Sequence, residues 1–308
     1  MLRPYDLLEN VLIDIEKGIR DGVNVTSLAE KYALSERHLQ RLFKFAFMQS
    51  LADYIRSRKL AASLDELLKT NFNLFDIALN YGFSYEQSFI RAFKSEYGMT
   101  PGEFRKSGRI VRIKPALHLY DENKIPDGLL FGPDIVMVPK FYVIGILHRL
   151  PSGDLPALTP KMAREFWDNE HTKIKNATDP DNLYIGLVRD CSYNGLVRDY
   201  NNYFGEGVAR YLASVPVKNL KNIPQDFSGD TFEASLCARF RYIGKHHYFD
   251  LHREIMEPMY KEIYKFRTNE QEKYALLSDK VYFEKIDSRN YDGTYCQMEW
   301  FTPVTEKN

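Results

Sequence analysis

The first third of the chain contains one short residue pattern twice. The matching positions are Ala29 and Ala78, Tyr32 and Tyr81, Leu34 and Phe83, Ser35 and Ser84, Arg41 and Arg91, Phe43 and Phe93, and Lys44 and Lys94. The offset is 49 residues up to Ser84 and 50 residues from Arg91 onwards, so the second copy carries one inserted residue. A repeat at a fixed period indicates one supersecondary unit used twice. Any fold for this chain must therefore contain two copies of the same small unit.

Residues 1–106 show the helical periodicity of apolar side chains almost throughout. Local signals predict where these helices stop and start: Asp21-Gly22 as a stop, Ser27 with Glu30 as a capping box, Ser35 as an N-cap, and Gly98 to Pro101 as a stop. A longer helix is predicted over residues 51–69. Each copy of the repeat is therefore predicted to be a short helix, a turn and a second helix, and the longer helix joins the two copies.

The second helix of each copy separates apolar from polar side chains. The apolar stripe consists of Leu39, Leu42 and Phe43 in one copy and Phe89, Ala92 and Phe93 in the other. The opposite face carries Arg37, Gln40, Arg41 and Lys44 in the first copy and Gln87, Ile90, Arg91 and Lys94 in the second. Arginine and glutamine match the hydrogen-bond pattern of base edges in the major groove, and lysine suits phosphates. Solvation is the ordinary explanation for one such face, but it gives no reason for the face to recur.

The segments ALSERHLQRLFK, DYIRSRKLAAS and DIALNYGFSYEQSFIRAFKSEYGMTPGEFRK, with the spacing between them, resemble the DNA-binding domain of the AraC/XylS-type regulators. The resemblance covers residues 7–107. It implies two helix-turn-helix units whose second helices enter adjacent major-groove segments of double-stranded DNA. The base-reading positions that it implies are Arg37, Gln40 and Arg41 in the first unit and Glu86, Gln87, Ile90 and Arg91 in the second.

Some of these positions depart from the usual pattern of the family. Arg37 stands where some members have tryptophan, and Glu86 stands where several have glutamine. A carboxylate favours a cytosine amino group and repels phosphate, and Ile90 offers only an apolar contact such as one to a thymine methyl. Gln87 has a second interpretation, because it follows Ser84 by three residues and the two would form a capping box. The operator sequence therefore does not follow from the family.

Charge and composition change along the chain. Residues 1–114 hold 18 Lys and Arg against 14 Asp and Glu, and the rest of the chain holds 24 against 28, so a net charge of +4 is followed by one of −4. A basic segment ahead of an acidic one suits a nucleic-acid reader joined to another domain. We predict a DNA-binding domain at 1–107, a linker with at most a short strand at 108–131, and a second domain at 132–305.

The composition is that of a globular protein of the cytoplasm. No apolar run approaches the ~18 residues that span a membrane, and the acids near the start argue against a signal peptide. Cys191, Cys237 and Cys296 are far apart and match no metal-ligand spacing, so we expect neither a disulfide framework nor a zinc site, and a reducing cytoplasm is the default. His246-His247 has no third ligand at a recognisable spacing, and no nucleophile-elbow, phosphate-loop or zinc-protease motif occurs. We therefore expect no metal, no cofactor, no membrane partner and no enzymatic activity.

The second domain changes from helical to strand periodicity. Strands are predicted in DIVMVPKFYVIGILHRL, LYIGLVRD, GEGVARYLASVPV, TFEASLCARFRYIG, KVYFEKID and TYCQMEWFTPV. Helices are predicted at about 159–176 and 250–267, so the order strand, helix, strand, strand occurs twice. This duplication predicts an α+β fold with antiparallel sheets.

The order of these segments, with IPQDFSGDTFEASLCARFRYIG, MEPMYKEIYKF and VYFEKID, resembles the GyrI-like effector-binding domains over residues 132–304. The resemblance implies a cleft for a small cationic or aromatic effector, with Glu284 facing it. Tyr282 and Trp300 are candidate contacts, although single aromatic rings more often belong to the core. From the strand pattern alone, Glu284, Glu299 and Glu233 would more simply lie on a solvated face of the sheet.

The strand VYFEKID predicts more about Glu284. Its alternation puts Tyr282, Glu284 and Ile286 on one face, and neither face is purely polar, so the strand is expected to be covered on both sides. A covered carboxylate needs a cation, which comes either from a ligand or from an arginine or lysine of the chain itself.

These patterns together predict a sequence-specific transcription regulator whose second domain senses a small molecule. The resemblance also implies activation and contact with RNA polymerase. In an alternative hypothesis, the second domain is an interaction or sequestration module without a small-molecule ligand. A third hypothesis, an enzyme on the same scaffold, has no catalytic motif to support it.

Overall fold

The computed structural model describes residues 2–107, 109–120, 123–125, 128–190, 207–251, 266, 274–277, 281–291 and 293–306. The chain divides into two compact units, Met1–Asp121 and Glu122–Asn308. The first unit is helical, and the second is built on one antiparallel sheet. The predicted fold class is confirmed: two helix-turn-helix units joined by a long helix precede an α+β domain.

The first unit contains seven helices in its described residues. They are α1 (Pro4–Lys17), α2 (Val25–Lys31), α3 (Glu36–Phe47), α4 (Leu51–Lys69), α5 (Leu74–Asn80), α6 (Glu86–Tyr97) and α7 (Pro101–Ser107). The predicted bounds of α4 are confirmed, and Ser35 caps α3 by accepting a hydrogen bond from the His38 amide. In the part of the chain that is described, the helices are too short or too polar to cross a membrane.

Two predicted helix signals near the start are wrong. α1 ends at Lys17 with Gly18 as its C-cap, so Asp21-Gly22 does not end the helix but lies in the turn that follows. The Val23 amide closes this turn by donating to the Gly18 carbonyl (3.1 Å). The capping box of α2 begins three residues earlier than predicted. The Asn24 side chain accepts from the Ser27 amide (2.9 Å), and the Ser27 hydroxyl accepts from the Asn24 amide (3.2 Å). Ser27 is therefore the inner residue of the box and not its cap.

The two helix-turn-helix units differ by one residue in the turn. Residues 32–35 separate α2 from α3, whereas residues 81–85 separate α5 from α6. The second residue of each turn has a left-handed backbone: Ala33 has a φ of 53° and Gly82 a φ of 72°. The insertion therefore lies after this point, between Gly82 and the start of α6.

Part of the predicted linker belongs to the first unit. Residues 109–120 form no helix or strand, but two of their backbone groups form hydrogen bonds with side chains of α4. Arg58 Nη1 donates to the Lys114 carbonyl (2.9 Å), and the Leu117 amide donates to the Tyr54 hydroxyl (3.0 Å). Both partners lie on α4, so the chain after α7 extends along that helix.

The second unit is a sheet of ten strands with one helix in its described residues. The strands are β1 (Lys124–Ile125), β2 (Gly128–Val138), β3 (Phe141–Pro151), β4 (Leu183–Arg189), β5 (Val208–Val217), β6 (Ser228–Phe232), β7 (Ser235–Gly244), β8 (Tyr274–Leu276), β9 (Val281–Asp287) and β10 (Cys296–Glu306). The helix α8 (Leu155–Asn169) follows β3. The strand order is β1-β2-β7-β10-β9-β4-β5-β3-β6, with β8 paired to β10.

The sheet contains the predicted duplication. In one half the strands lie in the order β4-β5-β3, and in the other they lie in the equivalent order β9-β10-β7. The halves meet where β4 pairs with β9. β2 precedes the first half in the chain but pairs with β7, and β6 precedes the second half but pairs with β3. The strand that precedes each half in the chain is therefore hydrogen-bonded to the outer strand of the other half.

Several predicted boundaries of the second unit differ from the structure. The segment DIVMVPKFYVIGILHRL forms two strands, β2 and β3, because the chain turns at Pro139-Lys140 and the strands take different partners. β2 begins at Gly128, so residues 128–131 belong to the sheet and not to the linker. α8 begins and ends earlier than the predicted 159–176. Almost all of the predicted helix at 250–267 lies outside the described residues.

An apolar layer covers each face of the sheet. One layer contains Tyr184 and Trp300 of the sheet and packs against Phe166 of α8. The other contains Phe283 and Phe301, whose rings stack with centroids 4.5 Å apart. Side chains of β9 alternate between the two layers, so this strand is covered on both faces as predicted.

Candidate DNA-binding surface and effector site

α3 turns its predicted polar face to solvent. The stripe of Leu39, Leu42 and Phe43 is fully buried in the first unit. Arg37, Gln40 and Lys44 are exposed on the opposite side, and Arg41 is half-buried at its edge. A duplex approaching this face would meet hydrogen-bonding side chains spaced about one helical turn apart.

α6 repeats the arrangement. Phe89 and Phe93 are fully buried, and their rings pack edge to face with centroids 5.8 Å apart. The predicted contact residues are all at least partly accessible: Gln87, Arg91 and Lys94 are exposed, and Glu86 and Ile90 are half-buried. Arg91 Nε donates to the Gln87 carbonyl (3.3 Å), which holds the start of its guanidinium along the helix. The two recognition helices therefore present equivalent faces.

The inserted turn residue decides between the two interpretations of Gln87. It makes Tyr85 the N-cap of α6, and no side chain caps this helix. The capping box of Ser84 with Gln87 is therefore wrong, because Gln87 is the second helical residue instead of the third. Its exposed amide remains available to a ligand on this face.

Glu284 lies in the middle of β9, in the apolar layer that packs against α8. It is 6% exposed. Its neighbours across the sheet are Trp300 on β10 and Gly186 on β4. A β-carbon at position 186 would overlap the Glu284 carboxyl, so the missing side chain of Gly186 makes room for it. The simpler interpretation, a solvated glutamate, is wrong at this position.

Burial dominates the electrostatics of Glu284. Desolvation raises the pKa of its carboxyl to about 7, against the opposing effect of a hydrogen bond from the Tyr211 hydroxyl to Oε1 (2.8 Å). The Tyr211 hydroxyl is also hydrogen-bonded to the Tyr184 hydroxyl. Within the described residues, no arginine or lysine pairs with Glu284. The alternative of a basic partner from the chain itself has no support there.

Tyr184 and Tyr211 are candidate site residues that the sequence patterns did not reveal. Both side chains are fully buried, and their hydroxyls continue a polar chain that starts at Glu284. Burial, with the nearby Glu284 charge, raises the pKa of both phenols well above its usual range. Each is a tyrosine within a mostly apolar strand segment, and a buried phenol needs a hydrogen-bond partner. This pattern was the sequence signal that could have indicated them.

The other predicted effector residues have different surroundings. Tyr282 and Trp300 are buried in the same layer as Glu284, with ring centroids 6.4 Å apart. Glu299 lies on the opposite face, where it pairs with two basic side chains at 3.2 Å. Glu233 is exposed next to the end of β6. Among the three candidate glutamates, Glu284 alone combines burial with the absence of a basic partner in the described structure.

A cleft of about 790 Å³ lies beside α8 in the same unit. Ile146, Phe166 and Phe227 give it apolar walls, and Glu165 and Asp226 lie among its polar lining residues. Its volume is in the range of small-molecule sites. Glu284 does not line it, so the cleft and the buried carboxylate are separate features of this unit.

The described residues give no evidence for a metal site or for a reactive cysteine. They contain no cluster of three or more His, Cys, Asp or Glu side chains able to hold a metal ion. Burial raises the pKa of the Cys237 and Cys296 thiols to about 12, so neither ionises near neutral pH. Cys191 lies outside the described residues. His246 is hydrogen-bonded to the Tyr242 hydroxyl (2.6 Å) at the end of β7.

Comparison with known protein families gives one match in each of the two compact units. Residues 28–107 match a family described as a helix-turn-helix domain, and residues 132–297 match the GyrI-like small molecule binding domain. The second match alone covers more than half of the chain. The chain therefore belongs to the AraC-type helix-turn-helix regulators that carry a GyrI-like small molecule binding domain.

Three relatives match about a third of the chain. The probable transcription factor PqrA of Proteus vulgaris is 36% identical over 108 residues, which are 33% of this chain and 88% of PqrA. The regulatory protein SoxS of Escherichia coli (strain K12) is 33% identical over 99 residues, which are 32% of this chain and 92% of SoxS. The transcriptional regulator Rob of Salmonella typhimurium is 35% identical over 115 residues, 37% of this chain and 40% of Rob. The chain thus spans nearly all of PqrA and SoxS and less than half of Rob.

Proposed function

We propose that this protein is a transcription regulator that reads a DNA sequence with α3 and α6. The observation that carries the proposal is the recurrence of one accessible polar face on two helices that bury equivalent aromatic stripes. Helix-turn-helix proteins read DNA with the second helix of the unit in the major groove, and two units suit two successive groove segments. The names of PqrA, SoxS and Rob, all regulators or transcription factors, support the same function.

Different side chains on the two faces would contact the bases and the phosphates of the DNA. Base edges would be read by Arg37, Gln40 and Arg41 on α3 and by Glu86, Gln87, Ile90 and Arg91 on α6. Lys44 and Lys94 lie one turn further along each helix and would hold phosphates. Arg41 is less accessible than its counterpart Arg91, so Arg91 is the cleaner position for a test.

Selection of bound DNA from random duplexes, followed by affinity measurements on the selected site, tests this proposal. Arg91→Ala should weaken binding of the selected site by ~1–3 kcal/mol and relax the preference at one base pair. Lys94→Ala is the matched control, since it should weaken all sequences about equally and reduce the salt dependence. A folded Arg91→Ala variant with unchanged affinity and sequence preference would contradict base reading by α6.

We further propose that Glu284 is the anionic centre of a site for a cationic aromatic effector. Support comes from a buried carboxylate without a basic partner in the described structure and from the rings of Trp300, Tyr211 and Tyr184 around it. A ligand that brings both charge and apolar surface offsets the desolvation of the carboxylate, and aromatic faces add cation–π attraction. Tyr282 would line the same layer.

N-methylacridinium and acridine form a matched pair of probes, because they share one ring system and only the first carries a permanent charge. At pH 8 we expect the cation to bind the wild-type protein more tightly than neutral acridine. Glu284→Gln should weaken the cation by ~1–3 kcal/mol and leave acridine unchanged. Equal affinity of the cation for both proteins would remove Glu284 from the site. Absence of binding by either probe would favour a module without a small-molecule ligand.

At the promoter, we propose that the protein activates transcription by contacting RNA polymerase in the cytoplasm. Support comes from the family resemblance and from the regulator names of the relatives. Transcription in vitro from a promoter carrying the selected site upstream is the test. We expect the protein to increase the yield of transcript, and a decrease would contradict activation.

A further inference from the structure

Lys59 on α4 is a buried charge that DNA reading does not use. Its side chain lies in the first unit at 7% exposure, and no described residue forms a hydrogen bond or an ion pair with it. Desolvation lowers the pKa of its ammonium group. Partial removal of an ammonium from water without an acceptor from the protein is unfavourable, so the fold retains Lys59 at a cost.

The ammonium group of Lys59 lies beside the turn of the second helix-turn-helix unit. A β-carbon at Gly82 would be 3.0 Å from Lys59 Nζ and 3.2 Å from the Gly22 Cα. Gly82 also has a left-handed backbone, so a side chain there is disfavoured by two independent effects. The close approach of Lys59 to this turn is therefore built into the backbone.

Lys59 also lines a cavity of about 200 Å³ that opens to solvent and has mainly apolar walls. Val23 and Val25 come from the start of the first helix-turn-helix unit, Ile55 from α4, and Phe83 from the turn of the second unit. Arg56 is a second lining cation, but its guanidinium pairs with Asp53, so Lys59 is the lining cation without an acidic partner among the described residues. The lining therefore combines this ammonium, apolar walls, and residues from both helix-turn-helix units.

We propose that this cavity binds a small organic monocarboxylate, with its carboxylate on Lys59 and its apolar body between Val25, Ile55 and Phe83. A single charge on the ligand matches Lys59, because Arg56 is already neutralised by Asp53, whereas a polyanion would leave charge uncompensated against apolar walls. The volume limits the body to about one small ring or a short chain. Because the lining comes from both helix-turn-helix units, a ligand in this cavity would contact both of them at once.

Thermal melts and ligand-observed NMR of the full chain test the site. The probes are benzoate, its neutral isostere benzamide, and inorganic phosphate. We expect benzoate to raise the melting temperature of the first unit, and benzamide and phosphate to leave it unchanged. Lys59→Met should weaken benzoate at least tenfold. The control is Lys69→Met on the same helix, because Lys69 is exposed and paired with Asp65 at 2.7 Å.

Stability of the free protein separates a binding role from a merely structural one. Methionine has nearly the shape of lysine without its charge, so Lys59→Met should melt at or above the temperature of the wild type. Lys59→Gln serves as a second neutral variant in case the first does not fold. Binding of benzoate to the neutral variants at wild-type affinity, equal binding of benzamide, or no binding of benzoate at millimolar concentration would each overturn the proposal. None of these readouts involves DNA, so they are independent of the proposed DNA function.

Discussion

At the residue scale, the proposed sites use charge in two opposite ways. Arg37, Lys44 and Lys94 stay in water, where charge costs little and attracts phosphate over a distance set by salt. Glu284 and Lys59 are buried away from any opposite charge in the described residues, where charge is unfavourable. Ionisable groups that burial perturbs cluster at functional sites, so these two groups are the stronger functional signals.

The pH dependence of stability gives a direct test of Glu284 burial. Its pKa of about 7 in the folded protein is above the ordinary value of 4.5, so between these values the folded state binds more protons than the unfolded state. The contribution of Glu284 to the free energy of unfolding should therefore fall as pH rises from about 5 to 8, by up to about 3 kcal/mol. Glu284→Gln should remove that slope and be the more stable protein at pH 8, as measured by urea unfolding at both pH values. Parallel pH profiles of wild type and variant would contradict a carboxyl whose pKa is raised by burial.

At the element scale, local periodicity predicted the helices well and their ends less well. The two-sided helices and the long α4 follow from side-chain spacing alone, and β9 alternates as its sequence indicates. The Ser35 cap was predicted correctly, but the box of Ser27 with Glu30 failed because Asn24, three residues earlier, bonds reciprocally with Ser27. One inserted residue moved the start of α6 past Ser84, which no propensity reveals. The order of the ten strands depends on pairings between distant segments, so local patterns could not supply it.

The duplicated recognition helices offer a matched test of backbone strain. Both end on a left-handed residue, Met48 with a φ of 57° after α3 and Gly98 with a φ of 74° after α6. A side chain at Gly98 would not clash with other atoms, since none lies within 4 Å of an added β-carbon. Only the backbone conformation disfavours it. We expect Met48→Gly to stabilise the first unit and Gly98→Ala to destabilise it, each by roughly 1 kcal/mol. Urea unfolding checks the opposite signs, and a loss of stability in both variants would show that side-chain packing outweighs the backbone term at residue 48.

At the scale of the whole molecule, two compact units imply separable stability. Residues 1–121 should fold alone and bind the selected DNA site within about threefold of the full chain, because the recognition helices and their cores lie in that unit. A chain ending at 107 is the matched control. It lacks the hydrogen bonds of Lys114 and Leu117 to α4, and should be less stable by about 1–3 kcal/mol. Equal unfolding midpoints for the two pieces would contradict this assignment of residues 109–120.

The full chain should then melt in two transitions that respond to different ligands. A ligand that binds only the folded form of one unit stabilises that unit, by about 2.7 kcal/mol at 100 times its dissociation constant. N-methylacridinium should therefore raise only the transition of the Glu284 unit, and benzoate only that of the Lys59 unit. The isolated piece 1–121 identifies which transition is which. If each ligand shifted both transitions together, the units would unfold as one, and their division into separate compact bodies would not describe the energetics of the chain.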